Sequence, residues 1–79
     1  MKPGERLLVL YFIDNNKSLN NIVENVLEDE SEETRKILEC KFIEGLNNEQ
    51  ITSKMGLDHH RVGYVYKRVI SKIEKELNK

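Results

Sequence analysis

Between Asn47 and Asp58 the chain carries a helix start, a stop and a second start, and this punctuation constrains the fold more than any other stretch. Asn47 suits an N-cap. Gln50, three positions on, completes the reciprocal pattern in which side chain and backbone satisfy each other's first-turn groups. Gly56 supplies the positive φ that a tight inter-helix turn needs. Asp58 opens a second helical run with Val62, Tyr66, Val69, Ile70, Ile73 and Leu77 as its inward stripe. Residues 46–73 thus read as a short helix, a glycine turn and a longer helix, the layout of a helix-turn-helix.

The rest of the chain reads as helix around that unit. Residues 5–14 (ERLLVLYFID) are apolar nearly all round and fit a short buried helix, with Met1–Gly4 as an arm before it and Asn15–Lys17 as the break after it. Ser18 caps the next segment, in which Leu19, Ile22, Val23, Val26 and Leu27 recur at helical spacing opposite Asn20, Asn21, Glu24, Asn25 and Glu28. Ser31 caps a third helix over 32–44, and Glu32 and Glu33 sit well against the positive end of its dipole. Ile37, Leu38, Cys40, Phe42 and Ile43 form its apolar face, and Gly45 gives it a left-handed stop. The expectation is an all-α single domain, 1–79, of about five short helices. It has an acidic N-terminal segment, 1–30, and a helix-turn-helix segment, 31–79.

Length and charge narrow the function classes. A chain of 79 residues buries a small core, and a dimer or partner would add burial. The net charge of −1 hides a split, because residues 1–33 hold three basic and eight acidic side chains and residues 34–79 hold ten and six. A split of this kind points to different partners for the two halves. The apolar run 7–13 is too short to span a membrane and lacks a signal-peptide cleavage site, so the chain reads as cytoplasmic. Cys40 is the single cysteine and falls on an apolar face, where a core role fits it. His59 and His60 have no carboxylate or thiol at ligand spacing. No nucleophile–base–orienter set and no phosphate-cradling loop is visible, so no metal, cofactor or catalysis is expected.

The second helix of the 46–73 unit instead carries donors. His59, His60, Arg61 and Tyr64 occupy its first turns and can reach base edges, Arg in a bidentate fashion. Lys67, Arg68 and Lys72 follow at one-turn spacing, which suits phosphate contacts. Gly63 lies among them, where glycine costs roughly 1 kcal/mol against alanine, so close approach of a ligand or another helix would justify it. In the acidic half, Glu24 and Glu28 form an exposed edge suited to a protein partner.

Residues 33–73 resemble region four of bacterial sigma factors and the helix-turn-helix of small phage activators of the RinA and ArpU type. The resemblance rests on Phe42 and Gly45-Leu46, on Asn47, Glu49 and Ile51, on Met55-Gly56-Leu57, and on Val62 with Arg68-Val-Ile-Ser-Lys-Ile73. It covers about half the chain. It implies that the helix after Gly56 enters the major groove of double-stranded DNA. The chain differs from the common pattern at Arg61, where Thr is frequent, and at Gly63 and Val65, where basic residues are frequent. It has no room for the region that melts promoter DNA. The reading is a DNA-binding transcription regulator of phage or mobile-element type, dimeric or in contact with RNA polymerase or another regulator. The competing reading keeps the fold but uses the surface to bind and modulate a transcription protein.

Overall fold

The computed structural model describes residues 2–13 and 21–78. Among them it has five helices and no strand: α1 Pro3–Phe12, α2 Asn21–Glu28, α3 Glu32–Phe42, α4 Asn48–Met55 and α5 His59–Leu77. The protein is all-α, as expected. The expected Asn15–Lys17 break, the Ser18 cap and Leu19 lie outside the described residues.

The helix ends follow from local chemistry. Asn47 Oδ1 accepts from Gln50 N at 2.8 Å while Gln50 Oε1 accepts from Asn47 N at 2.9 Å, so the capping box is complete. Ser31 Oγ accepts from Thr34 N, and Asp58 Oδ1 from His60 N at 2.9 Å. Gly45 and Gly56 take φ of 70° and 66°, which side chains with a Cβ rarely adopt. The end of α2 has a long-range cap. Arg35 donates through Nε and Nη2 to the Leu27 carbonyl at 3.2 and 3.0 Å, placing a cation at the negative end of the helix.

α5 is the centre of the packing. Its 19 residues rise about 28 Å at 1.5 Å each, and it touches all four other helices. Val62, Val65, Val69, Ile70 and Ile73 are its buried residues. They meet Leu8 and Tyr11 of α1, Val23, Val26 and Leu27 of α2, Ile37, Leu38 and Cys40 of α3 and Ile51 of α4 in one core.

Four expectations need correction. Pro3 and Gly4 are not an arm but the first turn of α1. A Cβ on Gly4 would stand 2.9 Å from the Ile70 carbonyl oxygen, so this glycine lets α1 lie directly on α5. Ile43 does not join the apolar face of α3, because the helix stops at Phe42 and leaves Ile43 62% exposed. The resemblance implies an exposed, commonly basic position at Val65, yet Val65 is fully buried. At the far end Leu77 leaves the inward stripe, since the last fully buried residue of α5 is Ile73 and Leu77 is 40% exposed. Tyr66 belongs to the stripe only in part: its ring is half-buried and its hydroxyl donates to Glu5 at 3.0 Å. Burial and then this bond to a carboxylate raise its pKa well above the usual phenol value.

Candidate nucleic-acid interface

The buried stripe of α5 fixes what the opposite side can present. With Val62, Val65, Val69 and Ile73 anchored inward, His60, Tyr64, Lys67, Ser71 and Lys75 follow one another at three- and four-residue steps along the outermost line. All five are exposed. The Gly56 turn and the Asp58 cap set where this line begins. His59 and His60 stand at its start with their rings 3.9 Å apart, and Tyr64 is 63% exposed. Lys67 has no carboxylate partner among the described residues. Tyr64, Lys67, Arg68, Ser71, Lys72 and Lys75 line a shallow hollow of about 450 Å³ along this face.

One flank of α5 behaves differently. Arg61 forms an ion pair with Glu33. Arg68 Nη2 lies 2.6 Å from Glu30 Oε2 and 3.4 Å from the Thr34 hydroxyl, and Lys72 Nζ lies 2.7 Å from Glu30 Oε1. The Glu30 side chain is only 4% exposed. Burial pushes its carboxyl up, but the Lys72 and Arg68 cations outweigh that and hold it below the usual value. Three of the seven residues assigned to DNA contact are therefore already engaged by the short α2–α3 corner, while His59, His60, Tyr64 and Lys67 are not.

The corner's role was not foreseen. The sign split between the halves points to two partners, whereas part of the acid in one half pairs with the base of the other. The signal was present in Glu28–Glu33, five carboxylates in six residues, but the register that sets Glu30 against Arg68 spans 38 residues and has no local mark.

Glu24 and Glu28, read as a partner-binding edge, are both exposed and one turn apart on α2. The Tyr11 hydroxyl donates to Glu24 at 3.4 Å. Gly63 is half-exposed, and among the described residues a Cβ there would meet only Asn48 Nδ2, at 3.8 Å. Close packing among the described residues therefore does not require it. Cys40 is buried, and burial with the neighbouring Glu44 carboxylate raises its thiol pKa. No helix among the described residues is long and apolar enough to cross a membrane.

Chemically, the first half of α5 offers imidazole, phenol and ammonium donors on one line, over a rise of about 12 Å from His59 to Lys67. Such a line can meet base edges or anionic oxygens. Comparison with family models, curated proteins and solved structures finds no match to this chain.

Proposed function

We propose that the chain is a DNA-binding transcription regulator of phage or mobile-element type, with α4, the Gly56 turn and α5 as its helix-turn-helix. The observation that carries this reading is the exposed line His60, Tyr64 and Lys67 on the first half of α5, with exposed His59 beside its start, directly after the glycine turn. A major groove about 12 Å wide admits an α-helix, and the donors on this line suit base edges and the flanking phosphates. Arg61 stands beside them. Arg68 and Lys72 contribute less than their charge suggests, because Glu30 holds both. One such helix reads few base pairs, so a dimer or a contact with RNA polymerase completes the reading.

Binding to random duplex DNA over a salt series tests this. Affinity should fall with rising salt, since each neutralised phosphate releases counterions. Lys67→Glu should weaken binding at low salt by about tenfold, an effect on the order of one lost contact and one added repulsion. No binding at low salt, or affinity indifferent to salt, would overturn the reading.

The ion pairs of Arg61, Arg68 and Lys72 favour a second reading, a module that keeps this fold and binds a transcription protein, with Glu24 and Glu28 as its acidic edge. Co-elution with purified RNA polymerase that is lost in Glu24→Lys/Glu28→Lys supports it. Absence of co-elution at low salt counts against it.

A further inference from the structure

The α2–α3 corner places two carboxylates against three cations of α5. Arg61, Arg68 and Lys72 lie on one flank of α5 at steps of seven and four residues, two turns and one turn apart. Each meets a carboxylate oxygen of Glu33 or Glu30. These contacts are not all loose surface pairs. Glu30 is almost wholly covered, and it holds two cations at once. Thr34, 1% exposed, adds its hydroxyl to the same Arg68 nitrogen. On the other side of the hollow Lys67 has no carboxylate partner among the described residues. The same helix thus has a neutralised flank and an open one.

We propose that the corner acts as an internal phosphate mimic: Glu30 and Glu33 withhold Arg61, Arg68 and Lys72 from a DNA backbone and so make sequence selectivity depend on the first half of α5. The inference rests on the DNA-binding reading. Its physical content is that non-specific affinity grows with the number of phosphates a protein neutralises. A cation already matched to a carboxylate releases little counterion when DNA arrives. It must first leave its partner, or approach a phosphate with a negative charge close behind it. Base contacts carry sequence information and phosphate contacts do not, so Glu30, through Arg68 and Lys72, lowers the sequence-blind part of binding, Glu33 adds to this by holding Arg61, and His59, His60 and Tyr64 stay free for base contacts. Glu30 and Glu33 are specificity-determining residues that need not touch DNA.

The test is a double-mutant cycle on random duplex DNA of about twenty base pairs, with the salt slope as readout. Glu33→Gln, at a half-exposed position, should keep the fold and tighten binding about threefold, with a steeper salt dependence. Glu30→Gln/Glu33→Gln should tighten it roughly tenfold and steepen the slope by about one to two. Lys72→Gln decides between withholding and mere scaffolding. It should change affinity less than about twofold alone, but remove much of the gain when combined with Glu30→Gln/Glu33→Gln. If Glu30→Gln unfolds the chain, the cycle of Glu33→Gln with Arg61→Gln reads the same coupling.

A salt-dependent wild type whose carboxylate variants bind no tighter overturns the inference alone. So does equal weakening by the cation substitutions in both backgrounds. If neither wild type nor Glu33→Gln binds any duplex at low salt, the DNA reading falls and the inference falls with it.

Discussion

The two sides of α5 carry similar side chains and put them to different uses. Lys67 and Lys72 are five residues apart on one helix, yet one is open and the other is tied to Glu30 at 2.7 Å. His60 and Tyr64 face outward, while Arg61 and Arg68 lean toward the α2–α3 corner. The difference comes from neighbours. α2 and α3 bring a block of acid into contact with one flank, whereas on the other Glu5 and Glu74 line a hollow with Lys67 without forming an ion pair with it. A basic helix is therefore not a uniform binding surface, and counting its charges overstates what a ligand would meet.

The boundary between the packed and open sides is tested most severely at Val65. The resemblance read from the sequence alone implies a basic residue there, whereas Val65 is fully buried. Val65→Lys would place an unpaired ammonium in the core at a cost of more than about 3 kcal/mol. In a domain of this size that is a large share of the total stability. Circular dichroism should show a largely unfolded chain. Retention of a wild-type melting curve would mean that position 65 can turn to solvent and that the two sides are drawn wrongly.

Glu30 comes next. Its removal in Glu30→Ala leaves Arg68 and Lys72 facing a void with like charge. A fully buried pair broken on one side loses about 3–5 kcal/mol. Here the two cations are partly solvated, so about 2 kcal/mol is expected. Glu33→Ala, whose pair is open to water, should lose less than about 1 kcal/mol. Equal losses at the two sites would erase the distinction between a buried clamp and a surface pair. Arg68→Glu would also set two carboxylates together, so weaker DNA binding by that variant cannot by itself identify Arg68 as a contact.

Acid should reveal the same clamp. The Glu30 carboxyl is held below its ordinary value of 4.5 because Lys72 and Arg68 outweigh the upward push of burial. A folded-state pKa below the unfolded one gives stability that is present above the unfolded value and lost as pH falls through the folded value. Melting temperature should therefore decline as pH drops below about 4.5, and Glu30→Gln should flatten part of that decline. An unchanged acid profile in Glu30→Gln would assign the loss to other carboxylates.

How much of this was legible depends on how far each determinant lies along the chain. The caps at Ser31, Asn47 and Asp58 and the glycine stops at 45 and 56 were legible, since each acts within a few residues and its chemistry is carried locally. The inward character of Val62, Val69, Ile70 and Ile73 followed from spacing. Gly4 did not, because its reason is the Ile70 carbonyl, 66 residues away. Val65, three residues after Val62 and four before Val69, is buried with them because α5 is touched by four helices and buries a wide stripe. The acid and base blocks were visible, but their pairing was not. Which of two opposite charges meet depends on the tertiary register of α2 and α3 against α5, and periodicity within one helix carries no information on that.

Gly63 gives the smallest expected effect and the sharpest use of the contrast with Gly4. At Gly4 a methyl group would collide with backbone, and Gly4→Ala should destabilise by about 1–3 kcal/mol through displaced packing of α1 on α5. At Gly63 a methyl group meets only Asn48 Nδ2 at ordinary contact distance. Helix propensity then governs, and Gly63→Ala should stabilise the fold by about 0.5–1 kcal/mol. Among the described residues, nothing explains why the less stable residue stands there. Close approach of a bound partner would explain it, because the backbone at Gly63 lies one turn from both His59 and Lys67 on the open side of α5. Gly63→Ala should therefore raise the melting temperature and weaken duplex binding together. A variant that is more stable and binds as well as the wild type would show that Gly63 is only tolerated, and that no partner approaches the backbone there.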